Sequence, residues 1–377
     1  MTLRAIDYKQ FIGKPAEWHL EGCTFDMINL IVGKNASGKS MTLNIIRSLS
    51  DLLSRHRKLP FKSGNYIINF MNNSKEIEYV LDYEDTEVLN ESLKIGNSVV
   101  LKRGSDGKGK IYAQEINQEI SFQVPNDEIA AFVKRDAIQH PFLQDLYDWG
   151  DNLIPFSFGT SLGSDFYAST SELIEVKKQF DLRDTKLAVP IFKKGESQIG
   201  EKFLKEVNID MSTIGYSIDN IKIGPISGLT LKGLQGLLVK ESDLEYDIEQ
   251  QSISQGMFRA MSLIIQLNYA IVLKKLSCIL IDDIGEGLDY DRSSKLIRLI
   301  MSKAMENNIQ LIMSTNDRFV MNNVPLKYWS VIVRKGNIVR IYNYRNSREV
   351  FEDFELTGLS NFDFYSSNYL LNKFDEK

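Results

Sequence analysis

A short apolar run, Ile28–Val32, leads straight into Gly33-Lys34-Asn35-Ala36-Ser37-Gly38-Lys39-Ser40. No other stretch constrains the fold as strongly. The run suits a strand buried on both faces. Beyond it Leu43, Ile46, Leu49 and Leu53 recur at spacings of 3, 3 and 4, which predicts a helix with its apolar stripe turned toward a sheet. Strand, glycine-rich loop and helix in this order give the context that the pattern GxxxxGK[ST] requires, so a chance match in a structural loop is disfavoured. Glycines let backbone N–H groups close around phosphate oxygens, and the helix N-terminus adds positive potential. Gly33 to Ser40, with Met41 after them, are the expected phosphate-binding residues. Lys39 is expected to reach the β- and γ-phosphates, and the Ser40 hydroxyl to ligate Mg²⁺.

A second apolar strand, Ile279-Leu280-Ile281, ends in Asp282-Asp283. Paired acids after a strand often cap a turn. In a chain with a phosphate-binding loop they are expected to act as a Walker B pair, Asp282 holding Mg²⁺ through water and Asp283 orienting the attacking water. About twenty residues earlier stands Ser252-Ile253-Ser254-Gln255-Gly256-Met257-Phe258-Arg259, at the start of an apolar helix. Taken alone, Ser254 is an N-cap and Gly256 a permissive neighbour; the same arrangement can also present an anion-binding end.

The 377 residues, 43% apolar and 25% charged with 8 Pro and 24 Gly, are those of an ordinary globular protein. Disordered, collagenous and disulfide-stapled classes are excluded. Cys23 and Cys278 lie in apolar stretches, which suggests buried thiols in a reducing cytoplasm and makes a zinc enzyme improbable. The N-terminal residues lack a secretory layout. The most apolar stretch, Met261 to Ile281, is interrupted by Gln266, Asn268, Lys274 and Lys275, so no membrane partner is expected. With net charge −5 the chain lacks the overall cationic field of a non-specific DNA binder. Between Lys177 and Lys205 eight basic residues face four acidic ones; a solvated helix face is the default for such a run, with a DNA or partner contact as the alternative.

Four segments are expected: 1–125, an N-terminal lobe with the loop and an antiparallel β-subdomain; 126–215, a mainly helical insertion broken at Pro155 and Pro190; 216–345, a second lobe; and 346–377, a tail. The alternating segments between about Asn65 and Ile116 carry the β-subdomain. No sustained heptad pattern supports a coiled-coil arm. The aromatic, acidic tail from Phe351 to Leu370 suits core covering or partner docking better than base stacking.

The order of phosphate-binding loop, long insertion, ISQGMFR, ILIDD, Leu288-Asp289 and a strand ending in Ser314-Thr315-Asn316-Asp317 resembles ATP-binding-cassette (ABC) ATPases of the RecF and structural-maintenance-of-chromosomes type. It is especially similar to short AAA-type, OLD-related ATPases of bacterial DNA repair and phage defence. The resemblance covers roughly residues 1 to 60 and 245 to 345. It implies an α/β P-loop fold of ABC type, bound ATP and Mg²⁺, and a head-to-tail homodimer or higher oligomer. By position Ser254, Gln255 and Gly256 match the signature motif, Asp289 the D-loop, and Asn316 the switch residue, usually His. The usual catalytic Glu is Asp283, shorter by a methylene, which sets the water roughly 1.5 Å from its expected acceptor. Glu286 is the alternative base. Asn316 can hydrogen-bond but cannot exchange a proton near neutral pH, so slow turnover is expected. The implied function is a Mg²⁺-dependent ATPase that drives a separate effector protein or acts on DNA. The alternative is an ATP-sensing switch without hydrolysis, regulating a nuclease or toxin complex.

Overall fold

The computed structural model describes residues 1–170, 173, 180–227 and 233–375. Its contacts divide the chain into two compact units, one of 1–153, 310–312 and 325–377, the other of 154–309 and 313–324.

In the first unit β1 (Thr2–Gln10) and β2 (Trp18–Thr24) pair antiparallel, and β3 (Ile28–Val32) is buried at all five positions, as a two-sided strand requires. The phosphate-binding loop opens α1 (Lys39–Leu53), whose expected stripe of Leu43, Ile46, Leu49 and Leu53 is buried. An antiparallel succession follows: β4 (Gly64–Asn72), β5 (Lys75–Glu84), β6 (Glu87–Ile95), β7 (Ser98–Arg103), β8 (Lys108–Ala113) and β9 (Gln118–Gln123). Asn73-Ser74 and Asp85-Thr86 all have positive φ, the left-handed backbone that tight hairpins need. Two helices close this stretch, α2 (Ala130–Val133) and α3 (Phe142–Asp151). The fully buried Glu91 carboxylate accepts the Ala130 and Ala131 N–H groups at 2.6 and 2.8 Å and the Tyr79 hydroxyl at 2.9 Å, tying α2 to β6. Burial pushes its carboxyl above the usual range.

The second unit begins with β10 (Leu153–Ser157) and β11 (Ala168–Ser169), then α4 (Ala188–Gln198) and α5 (Glu201–Thr213). A small antiparallel sheet forms from β11, β12 (Ile218–Pro225), β13 (Leu234–Glu241) and β14 (Ile248–Glu249). Next come α6 (Gln255–Leu273), β15 (Cys278–Asp282), α7 (Tyr290–Glu306), β16 (Gln310–Ser314), whose first three residues belong to the first unit, and α8 (Arg318–Asn323). Strands β10, β15 and β16 are neighbours in that order. Helix α6 is long and apolar enough to cross a membrane, but 83% of its apolar window is buried, with α4 and α5 packed on it. Both Cys23 and Cys278 are buried free thiols, and burial pushes both above the ordinary thiol range.

The chain then returns to the first unit through β17 (Trp329–Lys335) and β18 (Ile338–Asn343). Parallel pairing of β17 with β3 and of β18 with β2 gives the order β3-β17-β18-β2-β1-β4-β5-β6-β7-β8-β9. The tail forms α9 (Arg348–Glu355), α10 (Asn361–Ser366) and α11 (Tyr369–Asp375). Phe351, Phe354 and Phe364 are buried with ring centroids 4.8 to 5.0 Å apart, and Phe364 meets Trp329 of β17 at 6.3 Å, so the tail covers core.

Two features depart from the expected layout. Strand β10 lies in the stretch expected to be mainly helical, and Pro155 sits inside it; as the end strand of its order, β10 tolerates a residue without a ladder N–H. Pro190 falls in the first turn of α4, where its missing N–H costs nothing.

Candidate nucleotide-binding and catalytic site

In the first unit the loop is shaped by close approach. A Cβ on Gly33 would lie 2.4 Å from Ile332 Cγ2, 2.7 Å from Ser37 Oγ and 2.8 Å from the Ile332 carbonyl, so only glycine fits. Gly38, the N-cap of α1, has φ +109, a backbone region that side chains avoid. The Lys39 ammonium, 7% exposed, donates to the Gly33 carbonyl at 2.8 Å and the Lys34 carbonyl at 3.4 Å, closing the loop around its charge. Ser37 N–H completes a turn onto the Lys34 carbonyl. Lys34, Asn35, Ala36 and Ser40 are exposed along the loop. The buried Ser37 hydroxyl makes no hydrogen bond within the protein, as a group reserved for a ligand would. The loop thus fits a polyphosphate.

In the second unit β15 delivers the two carboxylates. Asp282 Oδ1 accepts a short hydrogen bond from the Ser314 hydroxyl at the end of β16, and Ser314 Oγ in turn accepts the Asp283 N–H at 3.0 Å. Asn316 Nδ2 donates to Asp283 Oδ1 at 3.3 Å. Two of the three expected catalytic residues therefore meet. Asp283 has φ +55, the left-handed region, and begins a turn closed by the Glu286 N–H on its carbonyl. Glu286 stands exposed at that turn. Asp282 is a carboxylate and Ser40 an exposed hydroxyl, both oxygen donors of the kind Mg²⁺ takes.

Ser254 is the N-cap of α6, its Oγ accepting the Met257 N–H at 3.3 Å. Ser254 and Gln255 are exposed, whereas Gly256 is buried, and a Cβ there would lie 2.4 Å from the Gly287 carbonyl. Asp289 caps α7, accepting the Arg292 N–H at 3.0 Å. That backbone bond leads the influences that lower its carboxyl below the usual range, with the Arg292 guanidinium adding to it. Within the described residues Asp289 is thus a helix cap as well as a D-loop candidate.

Over residues 28–322 the chain matches the protein family described as "AAA domain, putative AbiEii toxin, Type IV TA system". The chain belongs to this AAA-domain family. Its fold is that of the ABC-type head ATPases. The Smc head solved with the C-winged helix domain of ScpA is similar with TM-score 0.51 at 13% identity, covering 91% of this chain and 97% of that one. The Smc head of Thermotoga maritima gives TM-score 0.43 at 16% identity, covering 91% and 99% of the two chains. The Smc head from Pyrococcus furiosus bound to the C-terminal domain of ScpA gives 0.48 at 12%, covering 94% and 99%. No curated protein matches this family member.

Some of the surroundings of these residues are invisible in the sequence. In the first unit a cavity of about 460 Å³ adjoins the loop, lined by Lys34 to Ser37, Val331 to Arg334 and tail residues including Phe364 and Leu371. Of the basic run, Arg183 is buried and Lys193 pairs with Glu196 at 2.6 Å, Lys186, Lys202 and Lys205 are exposed, and Lys177 and Lys178 lie outside the described residues.

Proposed function

We propose that the chain is a slow, Mg²⁺-dependent ATPase in which two copies close head to tail around ATP, and that this closure drives a separate effector protein. The observation carrying hydrolysis is the Asn316–Asp283 contact at the end of the Walker B strand. Gly33 to Met41 would hold the triphosphate, with Lys39 at the β- and γ-phosphates; Ser40 and Asp282 would hold Mg²⁺, whose charge offsets that of the phosphates. Asp283 takes a proton from the water that attacks the γ-phosphorus, and ADP leaves. Asn316 orients the Asp283 carboxylate without exchanging a proton, consistent with slow turnover. Ser254, Gln255, Gly256 and Asp289 belong to the face offered to the partner copy's nucleotide.

A protein effector is favoured over DNA because the net charge is −5. The family description, which names a toxin and a toxin–antitoxin system, supports the same choice. ATP turnover by Asp283→Asn and Glu286→Gln tests the chemistry. The Asp283 variant is expected to bind ATP and lose turnover while the Glu286 variant retains it; the reverse result would transfer the base to Glu286.

A further inference from the structure

Helix α6 is mostly apolar, and three of its polar side chains, Arg259, Ser262 and Gln266, follow one another at spacings of 3 and 4 on one face. All three donate to backbone carbonyls outside the helix. Ser262 Oγ reaches the Leu162 carbonyl at 3.2 Å, and Gln266 Nε2 the Thr185 carbonyl at 2.9 Å. Arg259 makes three such bonds. Its Nε donates to the Thr160 carbonyl at 2.8 Å and Nη2 to the Gly159 carbonyl at 3.3 Å, while Nη1 donates to the Glu286 carbonyl at 3.0 Å. One rigid guanidinium thereby grips two separate segments.

Those two segments flank Asp283. On one side the Phe158 N–H bonds the Asp282 carbonyl at 2.9 Å, and a Cβ on Gly159 would lie 3.4 Å from Asp283 Cβ and 3.6 Å from its Oδ2. On the other, residues 283 to 286 are the turn that Asp283 itself starts. Asp283 has a left-handed φ of +55 and lies at a turn between the two gripped segments, so its placement depends on how they are held. We infer that Arg259 is a positioning residue for Asp283, acting through residues 158–160 and 284–287. The inference rests on the proposed ATPase reaction, in which Asp283 receives the proton.

Hydrogen exchange and ATP turnover on Arg259→Gln and Arg259→Lys, beside the parent chain, test it. Arg259→Gln is expected to speed exchange together in peptides covering 157–163 and 283–288, leaving those of β3 and α1 unchanged. Its kcat should fall by about 10- to 100-fold, the scale of a small misplacement of a reacting group, with little change in KM. Arg259→Lys, which loses the fork but keeps the charge, should fall between. Unchanged exchange in either segment overturns the inference, whatever happens to turnover, and so does an unchanged kcat in a chain that hydrolyses ATP. Should the parent bind ATP without hydrolysing it, the ATPase reading fails, while the exchange data still decide whether Arg259 holds both segments.

Discussion

Asp283 combines a carboxylate with a left-handed backbone, φ +55, at the one position where the chain turns sharply out of β15. Asp and Asn tolerate that region and β-branched residues do not. Asp283→Val should therefore lower unfolding free energy by about 1–2 kcal/mol in urea titrations, while Asp283→Asn stays within about 0.5 kcal/mol of the parent. Equal stability for the two would show that the backbone is relaxed there. Lys39→Ala removes the cation that holds the loop carbonyls and is assigned to the phosphates. Losing such a preorganised donor should cost roughly 3 kcal/mol or more of nucleotide stabilisation, with circular dichroism unchanged. A Lys39→Ala chain that turns over ATP at the parental rate would remove the loop from the site. In the sequence Gly256 was legible as a permissive residue after a cap and, by resemblance, as a signature-motif glycine. The structure shows a tighter constraint, the Gly287 carbonyl 2.4 Å from a would-be Cβ, which depends on packing that no local pattern encodes.

Helix α7 begins at Asp289, whose side chain accepts the Arg292 N–H. Its carboxyl is held below the ordinary range, so its contribution is present above the unfolded pKa of about 4 and is lost as pH falls through the lower folded value. Asp289→Ala should cost about 1 kcal/mol at neutral pH, and Asp289→Asn only a fraction of that because Asn also caps. The stability difference between parent and Asp289→Ala should shrink below about pH 4. A difference constant with pH would detach the cap from the charge. At this scale β3, α1 and the β-hairpins were readable, because an apolar run, a 3.6-residue stripe and strict alternation each leave a local record. Strand β10 was not. Its run Leu153–Ser157 is short and carries Pro155, which reads as a break until the strand's end position is known. In the sheet of β11 to β14 the two end strands left no local record: β11 and β14 have two residues each, and β11 pairs with β13 more than sixty residues further along.

Within the whole molecule, the family and fold were carried by a few residues at its two ends, Gly33 to Ser40 and Ser254 to Asn316, since phosphate-binding geometry demands specific residue types at fixed spacing. The grip of Arg259 on three carbonyls could not be read, because backbone acceptors carry no side-chain identity. The claim that joins these parts is that one copy's loop works with another copy's signature segment. Gln255 is the better probe of that face, being exposed where Gly256 is packed against backbone. Gln255→Glu should place a carboxylate against the partner's phosphates and block closure while leaving single-copy ATP binding intact. The decisive measurement is ATP turnover across a titration of Lys39→Ala into Gln255→Glu, with size-exclusion chromatography following the dimers. Each variant alone should be inactive, and mixing should rebuild one intact site in each mixed pair, restoring up to roughly a quarter of parental activity. Parental turnover and ATP-dependent dimerisation by Gln255→Glu alone, or two inactive variants that never complement at any ratio, would contradict the composite site.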